Sequence, residues 1–349
     1  MRVRFGAGSV RLLDDEVQRL GLGSVLALST PGQAQLARDV LAPLGERCAG
    51  VHAHARMHVP VEVAETARAE AARLGVDALV AVGGGSAIGL AKAVALTSGL
   101  PVLAVPTTYA GSEMTSVWGL TEGTVKRTGR DPAVLPVSVL YDPELTLALP
   151  VEVSVTSALN AMAHAVEALY APDRNPIITL MAQEAIRSLV SALPDVVADP
   201  SGIEARATVL YGAWLAGACL GGTTMSLHHK LCHALGGVSA LPHAPTHAVV
   251  LPHVMAFNLP ALPALSRRLE NLLGGGDPAT DLWELSGLLG APASLRELGM
   301  PHADLEPVVH EVLATPYANP REVTADGVRA LLERAWSGAP PADLLRENG

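Results

Sequence analysis

Six of the twelve histidines in this 349-residue chain fall between positions 228 and 253, in LHHKLCHALGGVSALPHAPTHAVVLPH. They are His228, His229, His233, His243, His247 and His253. His229 and His233 are spaced to share one face of a helix, which Gly236-Gly237 should end, and His243 and His247 repeat that spacing behind Pro242. Upstream, Asn160 and His164 have the same separation and offer an amide and an imidazole to a common point, with Glu167 one turn on to orient His164. Imidazoles so arranged suit a divalent metal, a general acid or an anion-binding patch. A single histidine reads more simply as a hydrogen-bonded core or surface residue, and it is the clustering that points to function.

A second constellation lies in ALVAVGGGSAIGLAKAV (78–94), an apolar strand, then Gly83-Gly84-Gly85-Ser86, then a helix expected to stay amphipathic through Lys92. A bend without β-carbons lets main-chain N–H groups approach a pyrophosphate, the positive end of the following helix favours its charge, and Ser86 adds a hydroxyl. The spacing is not GxGxxG, and a plain strand-to-helix turn also needs small residues. VPTTYAGSEMT (105–115) follows another apolar strand and gathers Thr107, Thr108, Ser112 and Glu113 around Gly111. Two such loops at strand ends point together to a dinucleotide, NADH or NADPH. After the strand SVLAL, Ser29, Thr30 and Gly32 stand where an acidic residue would bind a ribose diol. No carboxylate excludes a 2′-phosphate there, so both cofactors should serve, with a preference below about a thousandfold, roughly 4 kcal/mol.

The elements that must position these groups change character along the chain. Through residue 150, short apolar runs (24–28, 77–82) alternate with amphipathic stretches such as Gln33 to Leu44, the βαβ signature of a parallel sheet. Beyond Pro150, long Ala- and Leu-rich segments keep a helical period. The expected organisation is a Rossmann-like α/β dinucleotide-binding domain over 1–150 and an all-helical catalytic domain over 151–349. With 49% hydrophobic and 17% charged residues the chain builds a large core, and a net charge of −10 removes any general attraction to nucleic acid. Three cysteines without CxxC spacing indicate neither a disulfide framework nor a thiolate zinc site, and the first residues lack the apolar stretch of a signal peptide. A cytoplasmic location is expected. Residues 207–227 carry no charge and approach spanning length, but their Ala and Gly content, the Gly221-Gly222 pair and the lack of an aromatic or basic belt mark a buried core helix and no membrane contact.

Taken together, GGGSAIGLAK (83–92), PTTYAGSEMT (106–115), YDPELTLALP (141–150), NAMAHAVEALY (160–170), LHHKLCHALGG (228–237) and LPHAPTHAVVLPH (241–253) resemble the iron-containing alcohol dehydrogenase family and, within it, the maleylacetate reductase group. NPREVTADGVRALLERA (319–335) extends the resemblance to essentially the whole chain. It implies the dehydroquinate synthase-like fold, an α/β nucleotide domain joined to an all-α domain. Metal-bearing members hold iron or zinc with an Asp, a His four residues on and two further histidines. Their positions match Asn160, His164, His229 and His243, so this chain has a neutral amide where those members have a carboxylate. Losing that charge and ligand lowers affinity for a divalent cation, and no tightly bound metal is expected.

The implied reaction is NAD(P)H-dependent reduction of the carbon–carbon double bond of maleylacetate to 3-oxoadipate in aromatic-compound degradation. Hydride goes to the β-carbon and negative charge to the ketone oxygen, where His243, His229, His233, His164 or Lys230 are candidates to stabilise charge or donate a proton. The small dicarboxylate substrate needs cations in an acidic chain with only three lysines, Lys92, Lys126 and Lys230. Lys230 and Arg127 are expected carboxylate anchors; Lys126 follows a nucleotide loop and is a candidate for either the cofactor or a carboxylate. Asn160 and His247 complete the expected substrate contacts. A homodimer is also implied. The alternatives are a metal-assisted alcohol or ketone reductase of the same family, a lyase resembling dehydroquinate synthase, and a nucleotide binder without turnover; the crowded histidines weigh against the last.

Overall fold

In the computed structural model the described residues are 1–123 and 125–342, excepting the side chains of Val125 and Lys126. Contacts divide the chain into two compact units, Met1–Leu149 with Ser201–Leu210, and Pro150–Pro200 with Tyr211–Gly349. A division at residue 150 alone would place 201–210 in the helical half; their contacts put them with the first unit.

The first unit is built on strands β1 (Arg2–Phe5), β2 (Val25–Leu28), β3 (Cys48–His52), β4 (Ala78–Gly83), β5 (Val102–Pro106), β6 (Val117–Glu122), β7 (Val125–Arg130) and β8 (Ser138–Tyr141). Six of them form a parallel sheet in the order β1-β8-β5-β4-β2-β3. Its helices are α1 (Leu13–Arg19), α2 (Ala34–Leu41), α3 (Val61–Leu74) and α4 (Gly85–Ser98). The central strands are apolar at every position because both faces are covered. Val25, Ala27, Val80 and Val82 pack with Leu13, Val17, Ala37 and Leu41, while Leu26, Leu28, Leu79 and Ala81 pack on the other face with Ala67, Ala71, Ile88 and Leu90. Pairing of Gly83 with Pro106 and of Leu28 with both Ala81 and His52 brings the carboxyl ends of β2, β3, β4 and β5 to one edge, so the loops after them emerge together.

Two features depart from expectation. Helix α4 is not amphipathic: Ala87, Ile88 and Leu90 through Ala95 are buried, including Lys92. Strands β6 and β7 form an antiparallel hairpin that the hydrophobic pattern had not indicated.

The second unit is helical, with α5 (Val151–Ala168), α6 (Pro176–Ala198), α7 (Ile203–Gly222, whose first turns belong to the first unit), α8 (Leu227–Val238), α9 (His243–Asn258), α10 (Pro263–Leu273), α11 (Pro278–Leu288), α12 (Leu305–Leu313) and α13 (Ala325–Ser337). Leu227, Leu231 and Leu235 of α8 pack with Val250 and Val254 of α9, Val308 and Val312 of α12, and Leu331 and Leu332 of α13. Helix α5 is buried from Ser154 to Ala168, so its polar residues sit inside the unit. The uncharged stretch 207–227 is interrupted after Gly222, and no helix among the described residues is long and apolar enough to cross a membrane. Helix α8 runs through Gly236-Gly237 to Val238, one residue past the expected stop. A glycine costs a helix only about 1 kcal/mol relative to alanine, which packing on that helix overrides.

Candidate active site

In the first unit, the bend after β4 forms a cradle that side chains would fill. Gly83 has φ +143°, and a Cβ there would lie 2.6 Å from Gln33 Oε1; at Gly84, the N-cap of α4, it would lie 2.8 Å from the Thr108 side chain. Thr107 N–H donates to the Gly83 carbonyl at 3.2 Å, and Gln33 Nε2 donates to Thr107 Oγ1 at 2.7 Å. Gly85 and Ser86 therefore lie in the first helical turn, which has no acidic residue and no side-chain cap. Those free N–H groups and the bare glycine surface fit a dinucleotide diphosphate. Thr108, whose side chain lies against Gly84, and Ser112 are half-buried, and Ser29 is buried at the end of β2 with its hydroxyl lacking a hydrogen-bond partner.

Lys92 holds the second loop in place. Its ammonium donates to the carbonyls of Ser112 (2.6 Å), Thr115 (2.7 Å) and Val117 (2.9 Å), which uses all three of its N–H groups. Burial pushes Lys92 down to about 7, against the opposing pull of the Glu113 carboxylate. Glu113 is buried too, accepts from Tyr141 Oη at 2.7 Å, and is raised by that burial. The signal for Lys92 was present as a lone cation inside the apolar run GLAKAVAL.

In the second unit, six histidines converge. Ring centroids lie 5.1 Å apart for His164–His229 and for His229–His247, 4.9 Å for His228–His247, 4.2 Å for His243–His247, and 6.4 Å for His229–His233 and His233–His243. Asn160 is buried one turn before His164 on α5. His233 and His243 are exposed, whereas His164, His228, His229 and His247 are buried. Burial drives His228 to about 4 and His229 to about 3, and takes His164 and His247 well below the ordinary range, with the neighbouring imidazoles adding to the effect. The buried rings are neutral at pH 7 and cannot serve there as imidazolium acids.

Glu167 orients His229 and not His164 as expected. Its Oε2 accepts from His229 Nδ1 at 2.7 Å and Ser226 N–H at 3.0 Å, and its Oε1 accepts from His228 N–H at 2.8 Å. Tyr170 Oη lies 3.3 Å from Oε1. The unpaired N–H groups at the start of α8 draw the carboxylate toward that helix terminus and away from its own helix. Burial raises the carboxyl and these N–H bonds oppose the rise. With Nδ1–H donated to the carboxylate, His229 Nε2 is left as an acceptor; it, Asn160 Oδ1, His164 Nδ1 and both His247 nitrogens are buried without hydrogen-bond partners.

Two of the expected carboxylate anchors carry other contacts. Lys230 donates to Thr315 Oγ1 at 3.1 Å and lies 3.9 Å from Glu311, because successive helical residues point in different directions. Arg127 pairs with Glu122 at 3.0 Å on the exposed hairpin. His253 is buried apart from the cluster, lowered to about 4 by burial and by Arg334. Lys126 pairs through its backbone with Thr121, and its side chain lies outside the described residues.

The quartet Asn160, His164, His229 and His243 offers three imidazoles and an amide but no anionic ligand, and the nearby Glu167 is committed to N–H donors, which weakens the set for a divalent ion relative to one with a carboxylate. Two other groups bring donor atoms within 4.8 Å, Glu167-His228-His229 and His228-Cys232-His247. The first is the N–H-bonded carboxylate just described. In the second, His228 Nε2 is 3.2 Å from the His247 carbonyl, and burial together with Glu167 holds the Cys232 thiol protonated.

Residues 1–143 match the family described as iron-containing alcohol dehydrogenase, and residues 154–336 match its C-terminal region. The chain is 53% identical to a maleylacetate reductase from Sphingobium indicum over 97% of this chain and 96% of that protein, and 51% identical to one from Pseudomonas sp. strain P51 over 97% of each. It is similar in structure to the maleylacetate reductase of Rhizobium sp. strain MTP-10005, with a TM-score of 0.94 at 50% identity over 97% of both chains. On these grounds the chain belongs to the iron-containing alcohol dehydrogenase family.

Proposed function

We propose that the protein reduces the double bond of maleylacetate to give 3-oxoadipate, with NADH or NADPH as reductant and without a tightly bound metal. The observation that carries this reading is the neutral amide and imidazole cluster of Asn160, His164, His229 and His247, whose buried polar atoms lack partners and whose donor set lacks an anion. The names of the relatives, about half identical along nearly the whole chain, support the substrate.

Reduction of an enone places charge on an enolate oxygen, which is less basic than the alkoxide of carbonyl reduction. Neutral N–H donors can stabilise it without a Lewis acid. Bound nicotinamide supplies the hydride that goes to the β-carbon. Gly83 to Ser86, Thr107, Thr108 and Ser112 hold the diphosphate, and Lys92 fixes the Ser112 loop from inside. Proton delivery to the enolate α-carbon falls to His243, whose ring is exposed and lies 4.2 Å from that of His247, tilted by 52°. Glu167 fixes the His229 tautomer. With Lys230 and Arg127 engaged elsewhere, the substrate carboxylates are assigned to the Asn160 NH2 group and the N–H groups of His164 and His247. A cytoplasmic homodimer is part of the same proposal.

The test follows loss of nicotinamide absorbance with maleylacetate and with simple aldehydes, before and after dialysis against a strong chelator. Turnover of maleylacetate should survive chelation, and His243→Ala should lower kcat by about a hundredfold or more. Preference for aldehydes, or a requirement for stoichiometric iron or zinc, would overturn the proposal.

A further inference from the structure

The carboxyl edge of the first unit's sheet carries a second basic segment that the proposed reaction does not use. His52-Ala53-His54-Ala55-Arg56-Met57-His58 starts at the last residue of β3 and carries three imidazoles, one guanidinium and no carboxylate, in a chain of net charge −10. Its backbone is tied to the end of β2: Ser29 N–H donates to the His52 carbonyl at 3.1 Å, and Ala55 N–H donates to the Ser29 carbonyl at 3.0 Å. Arg56 is thus the next residue after one whose backbone is bonded to the end of β2. On the other side of that loop, Gln33 reaches Thr107 and the Gly83 bend. The succession from Gly83 through Gln33 and Ser29 to Ala55 follows the sheet order β4-β2-β3 along one edge. A dinucleotide held by its diphosphate at Gly83 to Ser86 lays its adenosine ribose along the end of β2.

The segment is held in a costly conformation. His58 and Val59 have φ +63° and +47°, a region that side chains rarely adopt and β-branched ones least of all. Thr121 maintains it by donating its N–H to the Val59 carbonyl at 3.1 Å and its hydroxyl to the His58 carbonyl at 2.8 Å. Val59 also packs so closely over Gly89 of α4 that a Cβ there would lie 2.9 Å from it. Strain maintained by such anchoring is characteristic of segments that present side chains to a ligand. His54 and Arg56 are exposed, and among the described residues no hydrogen bond or ion pair engages the Arg56 guanidinium. His52 is buried with Nδ1 2.6 Å from Glu70, and its ring meets His54 edge-on at 5.0 Å.

We propose that Arg56, assisted by His54, binds the 2′-phosphate of NADPH at the ends of β2 and β3. This rests on the dinucleotide reading of the glycine bend. The absence of a carboxylate after β2 removes repulsion, and the guanidinium adds a planar fork matched to two phosphate oxygens.

Calorimetry with adenosine 2′,5′-bisphosphate, 5′-AMP and inorganic phosphate tests the site without turnover, on the wild type, Arg56→Ala and Arg56→Lys. The wild type should bind the bisphosphate at least tenfold tighter than 5′-AMP and show no comparable affinity for phosphate alone. Arg56→Ala should erase that advantage, and Arg56→Lys should keep part of it, since an ammonium retains charge without the fork. In steady state, the ratio of kcat/KM with NADPH to that with NADH should fall about tenfold in Arg56→Ala. Equal wild-type affinities for the two adenosine nucleotides, an advantage unchanged in Arg56→Ala, or phosphate binding as tightly as the bisphosphate would overturn the inference. Failure to turn over maleylacetate with the nucleotide contrast intact would reject the proposed reaction and leave this site standing.

Discussion

Replacing Glu167 by Gln keeps its volume and turns one acceptor oxygen into an NH2 group. If that group takes the Oε2 place, it confronts His229 Nδ1–H and Ser226 N–H; in the Oε1 place it confronts only His228 N–H, because the Tyr170 hydroxyl can rotate to accept. The second arrangement costs less and leaves one buried backbone N–H unpaired, about 1–3 kcal/mol, while the surviving bonds to His229 and Ser226 lose their charge-assisted part. Relief from burying a carboxylate, which the raised carboxyl pKa records, offsets some of this. The net expectation is a destabilisation of about 2–3 kcal/mol. The remaining amide oxygen still accepts from Nδ1, so the His229 tautomer persists and kcat should fall less than about tenfold. Glu167→Ala removes the orienting group altogether, and a loss of about 10- to 100-fold in kcat is expected. Urea unfolding followed by circular dichroism reads the first effect, and NADH oxidation with maleylacetate reads the second. An unchanged urea midpoint in Glu167→Gln would show that the carboxylate does not cap α8, and wild-type kcat in Glu167→Ala would remove its role in orienting His229.

Two further outcomes follow from the geometry. Gly84→Ala drives a Cβ to 2.8 Å from Thr108 at the proposed diphosphate cradle, so dinucleotide affinity should drop by about tenfold or more, roughly 1.4 kcal/mol, while the urea midpoint moves little; unchanged affinity by calorimetry would move the diphosphate elsewhere. His253 falls from 6.5 to about 4 on folding, so the unfolded chain takes up its proton first and stability declines as pH falls from about 6.5 toward 4. Between pH 7.5 and 5 this single ring should account for about 2 kcal/mol of that decline, and His253→Gln should lose correspondingly less; urea midpoints at the two pH values decide, and identical pH dependence in the two proteins would contradict the assignment.

Much of the architecture is carried by short-range pattern. Fully apolar runs at β2, β4 and β5, the glycine bend before α4 and the helical period after Pro150 each express a local requirement: burial on two faces, close approach of backbone, or one periodic apolar stripe. The gathering of the amide and imidazoles was legible because Asn160 and His164, His229 and His233, and His243 and His247 each lie one turn apart on their own helix. What that pattern cannot encode is which distant group a side chain finds. Glu167 was assigned to His164 on its own helix, yet it bonds the amino end of α8, whose free N–H groups attract a carboxylate more strongly. Lys230 and Arg127 were read as substrate anchors and are occupied by Thr315, Glu311 and Glu122, while Lys92 looked like an ordinary helix residue and closes a loop from within. The Arg56 segment had no function until parallel pairing set the ends of β2 and β3 side by side. Periodicity and bend composition act within a few residues and are written in the chain, whereas hydrogen-bond partners and strand-end neighbours arise from chain closure over many residues and exist only once the core has packed.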